Sequence, residues 1–339
     1  MNPFTERGRI NNPARFTGRW REVGMVFEGL ERRRPVMIAG APGAGKSSLL
    51  THVAQSAGAV LELPDLDALY LDLAVLPDAA AVYTLVGRAL RGRAASAGEL
   101  EDALARFGHP VLLCLDGADA AVAAGWGADL LERLARIARR STPALDEGER
   151  LLPGTHDLML VAAAGAAAPP LGEPFREVRL GALPAAEVRL LAEAYLGEDE
   201  AGFSGEELRS LAELSAGHPA YLQRAAYHLY EARTRPGYDW RAAYLAEARE
   251  RPVIGAPLPP ELFRGEGGEA GEAGRPEAAA GETRGRPPEA DPELAIRPFL
   301  EAVLPLVAAL LAWQLSGSWL VALAVLAAGY GLVWLIGRG

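Results

Sequence analysis

A chain of 339 residues, half of them hydrophobic, is long enough for one or two domains with a sizeable core. Its formal charge of −10 lacks the basic footprint of a nucleic-acid binder, so no nucleic-acid partner is expected. The single cysteine, Cys114, excludes an internal disulfide, and the five histidines show no metal-ligand spacing.

In chain order, the first residues carry no apolar run of the signal-peptide kind, so the body of the chain is expected in the cytosol. Residues 16–22 read FTGRWRE. Arginines cluster at Arg32, Arg33 and Arg34 and again at Arg139 and Arg140, read as solvated helix ends. Residues 35–39 are a short apolar run, and residues 47–54 have helical character. Between them lies GAPGAGKSS, residues 40–48, with the complete spacing G-x-x-x-x-G-K-S. Strand, glycine loop and helix in that order form a phosphate loop.

The chemistry assigns roles within this loop. Backbone N–H groups from Gly43 through Ala44, Gly45 and Lys46 to Ser47 are expected to curl round a β-phosphate, aided by the helix N-terminus. Gly40, Ala41, Pro42 and Ser48 complete the nucleotide-binding stretch. The Ser47 hydroxyl is expected to hold Mg²⁺. Lys46 is the sole lysine among 34 basic residues. A compact ammonium on a flexible stem reaches β- and γ-phosphate oxygens together, and a planar guanidinium does not. ATP with Mg²⁺ is therefore the expected ligand, and Lys46 a catalytic residue.

Residues 69–73 are a second strand candidate. Residues 109–119, HPVLLCLDGAD, read as an apolar strand buried on both faces and ending in Asp116, a Walker B element whose carboxylate meets Mg²⁺. The plainer reading has Asp116 or Asp119 capping the next helix. Gly117 stands where many such ATPases carry the acid that polarises water, leaving Asp119 as the candidate substitute and making slow hydrolysis the expectation. Residues 157–162 form another strand and lead into AAAG, with no polar sensor for a γ-phosphate. Residues 175–180 are more polar and read as an edge strand. The alternation predicts an α/β fold with a parallel sheet over residues 35–180. Residues 181–253 follow as a helical domain, with Tyr221, Tyr227 and Tyr230 in its core and a helix starting at Asp239.

Residues 254–297 are rich in Gly, Pro, Glu and Ala and are expected to be a disordered linker. Two apolar runs follow, residues 299–315 and 319–336, separated by Ser316, Gly317 and Ser318. Each is at the short end of a membrane span. Arg297 and Arg338 place both ends on the cytoplasmic side, and Trp313 and Trp319 flank the turn. A transmembrane hairpin over residues 298–339 is expected, with a buried hairpin of a soluble domain as the alternative. The expected location is the cytoplasmic membrane, with the body facing the cytosol.

FTGRWRE before the phosphate loop resembles the hhGRExE motif of the STAND and origin-recognition branch of AAA+-like ATPases. Gly18, Arg19 and Glu22 match, and Trp20 replaces the first acid. LGALP at 180–184 resembles the start of that branch's helical lid, and Gly217-His218-Pro219 its GxP motif. The resemblance spans about residues 13–250. It implies that the Phe16 segment and Pro219 sandwich the adenine while the lid closes over the nucleotide, that the protein acts as a nucleotide-dependent switch, and that a homo-oligomer forms on activation. Read from the residues alone, Gly217 ends one helix and Pro219 starts the next. Arg224, one turn on, is either solvated or within reach of a phosphate.

Overall fold

The structure is a computed structural model that describes residues 2–141, 155–165, 175–196, 201–256 and 259. The expected transmembrane hairpin and nearly all of the expected linker lie outside the described residues. Among the described residues, no helix is long and apolar enough to cross a membrane.

Five strands form one parallel sheet in the order β2-β3-β4-β1-β5. They are β1 (Val36–Gly40), β2 (Asp67–Asp72), β3 (Val111–Asp116), β4 (Leu158–Gly165) and β5 (Arg176–Leu180). Side chains alternate across each strand, so the apolar runs feed two cores. Val111, Leu113 and Leu115 of β3 face one layer, together with Leu158, Leu160 and Ala162 of β4. Leu112, Cys114, Met159 and Val161 face the other. The buried Cys114 thiol is held protonated by burial, a packing residue as its apolar surroundings imply. The polar strand β5 lies at an edge, as its composition predicts.

Helices α1 (Trp20–Glu31) and α2 (Lys46–Val60) pack on one face of the sheet. Helices α3 (Ala79–Ala89), α4 (Ala97–Phe107), α5 (Ala118–Ala123) and α6 (Gly127–Arg139) pack on the other. Asp78 and Ser96 cap α3 and α4 through their side-chain oxygens.

Four further helices form a separate apolar cluster, the lid: α7 (Ala185–Ala194), α8 (Gly205–Ser215), α9 (Pro219–Thr234) and α10 (Trp240–Glu250). Ser204 and Glu207 close a capping box at α8, and Asp239 caps α10. Tyr221 is fully buried there, with Tyr227 and Tyr230 packed against the cluster.

One expectation is corrected. Arg33 is not a solvated helix end. It adopts a left-handed backbone (φ 51°) and forms a bidentate pair with Asp157 at 2.6 Å on both arms. Asp157 is 1% exposed, so a buried carboxylate needs that partner. Arg32 pairs on the surface with Glu28, and Arg139 at the end of α6 is exposed.

Candidate functional site

The loop after β1 joins the sheet to α2, and glycine geometry shapes it. Gly45 caps α2 in the left-handed region (φ 97°), and no side chain covers the helix start. The first amides of α2 are left for a ligand. A Cβ on Gly43 (φ 74°) would lie 2.8 Å from His218 Cε1, so the loop fits against the lid only with glycine there.

Lys46 opens α2. Its ammonium donates to Gly40 O at 2.9 Å and Ala41 O at 3.0 Å. Burial lowers its pKa, and the nearby Asp119 and then Asp116 carboxylates oppose that shift. The sole lysine is thus bonded to the loop and lies in the field of two acids.

Those acids sit at the strand ends. Asp116 ends β3. Its Oδ2 accepts the Tyr70 hydroxyl at 2.5 Å, and its Oδ1 accepts the Gly117 N–H at 2.9 Å. Burial first, and then the Asp116 carboxylate, keep the Tyr70 phenol protonated. Gly117 is left-handed (φ 65°) and is itself the N-cap of α5, so Asp119 is not the cap. Asp119 lies in the first turn of α5, and its carboxylate covers the end of β4. A Cβ on Gly165 would be 2.9 Å from Asp119 Oδ2. The apolar end of β4 therefore has a physical reason: the missing side chain makes room for an acid from the neighbouring element.

The FTGRWRE residues hold the loop to the lid. Arg19 is 5% exposed and left-handed (φ 60°). Its Nη2 donates to Ala44 O at 3.2 Å in the loop and to Gly181 O at 2.5 Å just before α7. Its Nη1 pairs with Glu22 at 3.1 Å, and its own N–H donates to Glu187 of the lid at 3.0 Å. Gly18 (φ 75°) lets that Glu187 carboxylate approach.

From the lid side, His218 Nε2 meets Pro42 O at 3.0 Å. Burial lowers the His218 pKa, and the Arg19, Arg224 and Lys46 charges add to that against the pull of Pro42 O. The ring is neutral near pH 7 with its proton on Nε2. Gly217 is left-handed (φ 68°), and a Cβ there would sit 2.4 Å from Leu183 O. Pro219 starts α9. The structural reading of Gly217 and Pro219 holds, and His218 between them adds a contact to the loop.

A cavity of about 380 Å³ lies between loop and lid. This is within the size range of small-molecule sites, ~300–1,000 Å³. It gathers Phe16, the loop residues from Gly43 to Ser48, and Pro219. Gly40, Ala41 and Pro42 lie behind the loop, where their carbonyls bind Lys46 and His218. Asp116 and Asp119 stand beside Lys46 and not in the cavity lining. One face of the Phe16 ring is already stacked on His52, with centroids 4.3 Å apart. Arg224 lines the cavity, but its guanidinium donates to Arg251 O and lies near Glu247.

Sequence reading missed the rest of the wall. Glu6, Arg7, Gly8, Arg9 and Ile10 form a strap across the cavity. Phe4 is fully buried in the lid core, and Asn2 bonds Tyr227 O and Glu231 on α9. Glu6 accepts from the Tyr195 hydroxyl at 2.8 Å. On the other side, Ile10 N–H donates to Ser48 Oγ at 3.0 Å. The available signal was Phe4 in an otherwise polar stretch.

The residues present fit Mg²⁺. Among the described residues no group of three or more acidic, histidine or cysteine side chains forms a metal site. Asp116 at the end of β3 and Ser47 in the first turn of α2 are the carboxylate and the hydroxyl that would hold such an ion, with substrate phosphates and water filling the remaining positions.

No protein-family model matches the chain, and no curated protein matches it in sequence. Solved structures do. A Walker-type ATPase of Pyrococcus abyssi is similar at 15% identity and a TM-score of 0.50, over 73% of this chain and 76% of that one. The Orc1 protein of Aeropyrum pernix, solved in complex with DNA, gives 18% identity and 0.48 over 73% and 68%. A STAND protein with a tetratricopeptide repeat sensor from Pyrococcus horikoshii gives 20% and 0.39, over 66% of this chain and 31% of that protein. At such identities the likeness is one of fold. The chain has an α/β fold with a five-stranded parallel sheet and a helical lid, similar to the fold of that Walker-type ATPase.

Proposed function

We propose that the chain binds ATP with Mg²⁺ between sheet and lid and acts as a slowly hydrolysing switch, tethered to the cytoplasmic membrane through residues 299–336. One observation carries this reading. The loop that would hold the phosphates is tied to the lid on both flanks, at Pro42 directly by His218 and at Ala44 through Arg19, whose own N–H donates to Glu187 of the lid. A triphosphate that draws Lys46 off the Gly40 and Ala41 carbonyls loads the same loop, so nucleotide occupancy and lid position are one equilibrium.

Phe16 and Pro219 border the region of the base, with the Phe16 ring backed by His52. Bound Mg²⁺ would neutralise charge on the transferring phosphoryl oxygens. Asp119 takes the water-orienting role that Gly117 leaves open. It reaches the site from a helix and not from the strand end, and this supports slow turnover. Closure of the lid would assemble homo-oligomers and gather their hairpins in the bilayer.

The test is to purify the full chain in detergent and measure size and turnover with and without ATP and Mg²⁺. The switch reading expects nucleotide-dependent assembly with turnover below about 1 per second. Fast, unstimulated turnover with no change of size contradicts it and describes a motor.

A further inference from the structure

Tyr70 lies midway along β2, in register with Cys114 of β3, and is half-buried. Its hydroxyl is bonded to one Asp116 oxygen while the Gly117 amide holds the other. Each carboxylate oxygen therefore has one donor, and the plane of the group is fixed. Above the Tyr70 ring stands the Arg9 guanidinium, 4.5 Å from the centroid. Arg9 is exposed and lines the cavity, and its Nε is steered by Asn11 Oδ1 at 2.9 Å. It belongs to the strap whose beginning is buried in the lid core at Phe4 and whose later residues are bonded to α2 at Ser48 and Gln55. Lid, strap, ring and carboxylate form one unbroken series of contacts.

We infer that Tyr70 is a positioning residue for the Asp116 carboxylate, and that Arg9 makes its grip depend on the strap, so that movement of the lid reaches the metal-binding oxygens. This rests on the reading that Asp116 faces Mg²⁺ beside ATP. The physical basis is general. A partner that orients a ligating carboxylate changes metal affinity by about 10- to 100-fold. Here that partner is a neutral phenol on an adjacent strand, which fixes direction without cancelling the carboxylate charge. The strap links lid and sheet because Phe4 is packed in the lid core while Arg9 lies over Tyr70 of β2.

The test uses the full chain, with Mn²⁺ titrated into the ATP-loaded protein and followed by electron paramagnetic resonance. ATP uptake in EDTA serves as the parallel readout. Tyr70→Phe keeps the ring and removes the donor. It is expected to weaken Mn²⁺ binding about tenfold and to leave metal-free ATP uptake unchanged. Arg9→Ala is expected to weaken Mn²⁺ binding in the same direction but less, and Arg9→Lys to restore part of it. The double variant should be no worse than Tyr70→Phe, because the two residues act in series. Unchanged Mn²⁺ affinity in Tyr70→Phe, with ATP still bound, overturns the inference alone. A wild-type chain that takes up no ATP overturns the proposed function first, and this inference with it.

Discussion

The two ends of the cavity are built from different material. At the phosphate end the groups that face a ligand are main-chain amides of one continuous loop, shaped by Gly43 and Gly45 and ended by α2. At the lid end they are side chains brought from distant parts of the chain: Glu6 and Arg9 from the strap, Phe16 before α1, Pro219 and Gln223 on α9. A site made of consecutive amides needs only local backbone geometry, so it survives movement of the domains around it. A site made of remote side chains exists only while strap, sheet and lid stay docked. The first end is suited to holding a nucleotide, and the second to registering that it is held.

Several variants separate the two ends. The largest stability effect is expected beneath the sheet, far from either. Arg33→Ala strands the buried Asp157 carboxylate and should cost about 3 kcal/mol, read from chemical denaturation. A much smaller loss would mean that water replaces the guanidinium.

Asp119→Asn acts at the phosphate end. It should lower turnover on the order of 100-fold and leave ATP affinity in place. Loss of affinity instead would make Asp119 a structural partner of Lys46.

Gly217→Ala acts at the lid end. The added Cβ meets Leu183 O at 2.4 Å in a left-handed backbone, and the cost should be about 2 kcal/mol in a thermal melt. The loop itself is untouched by this change, so metal-free ATP binding should fall less than stability does.

The smallest effect is a pH dependence. Burial lowers the pKa of both His218 and His52 below the ordinary value of about 6.5. Below that pH the unfolded chain binds more protons than the folded one. Stability from these rings is therefore present above about pH 6.5 and is lost as the pH falls through the window beneath it. His218→Gln should flatten part of that slope, and an unchanged slope would assign it to His52 and other groups.

The same contrast explains what could be read from the sequence. GAPGAGKSS announces itself because the phosphate end is contiguous. The strands at β3 and β4 are legible because burial on both faces demands unbroken apolar runs. β5 is legible as an edge because Arg176, Glu177 and Arg179 interrupt such a run. The lid helices are legible from their apolar periodicity and from the cap at Asp239, whereas the capping box at Ser204 appears only in the structure. The strap was not legible. Its apolar anchors are only Phe4 and Ile10, and its contacts with Tyr70, Tyr195 and Ser48 span 38 to 189 residues. Arg33 misled for a related reason, since nothing local in an arginine triplet marks which member meets an acid 124 residues away. The pairing of Gly165 with Asp119 was likewise invisible, because Gly165 alone reads as a missing sensor and Asp119 alone as a substitute acid, and only the structure brings them into contact.

The central claim is that Lys46 reaches a triphosphate held by the amides between Gly43 and Ser47. Equilibrium binding of a fluorescent ATP analogue to the full chain, with and without Lys46→Ala, tests it most directly. The account predicts saturable uptake by the wild-type protein and at least about a tenfold loss in the variant, as expected when a desolvated charge contact is removed. Equal affinity in both proteins, or no uptake by either, would contradict it.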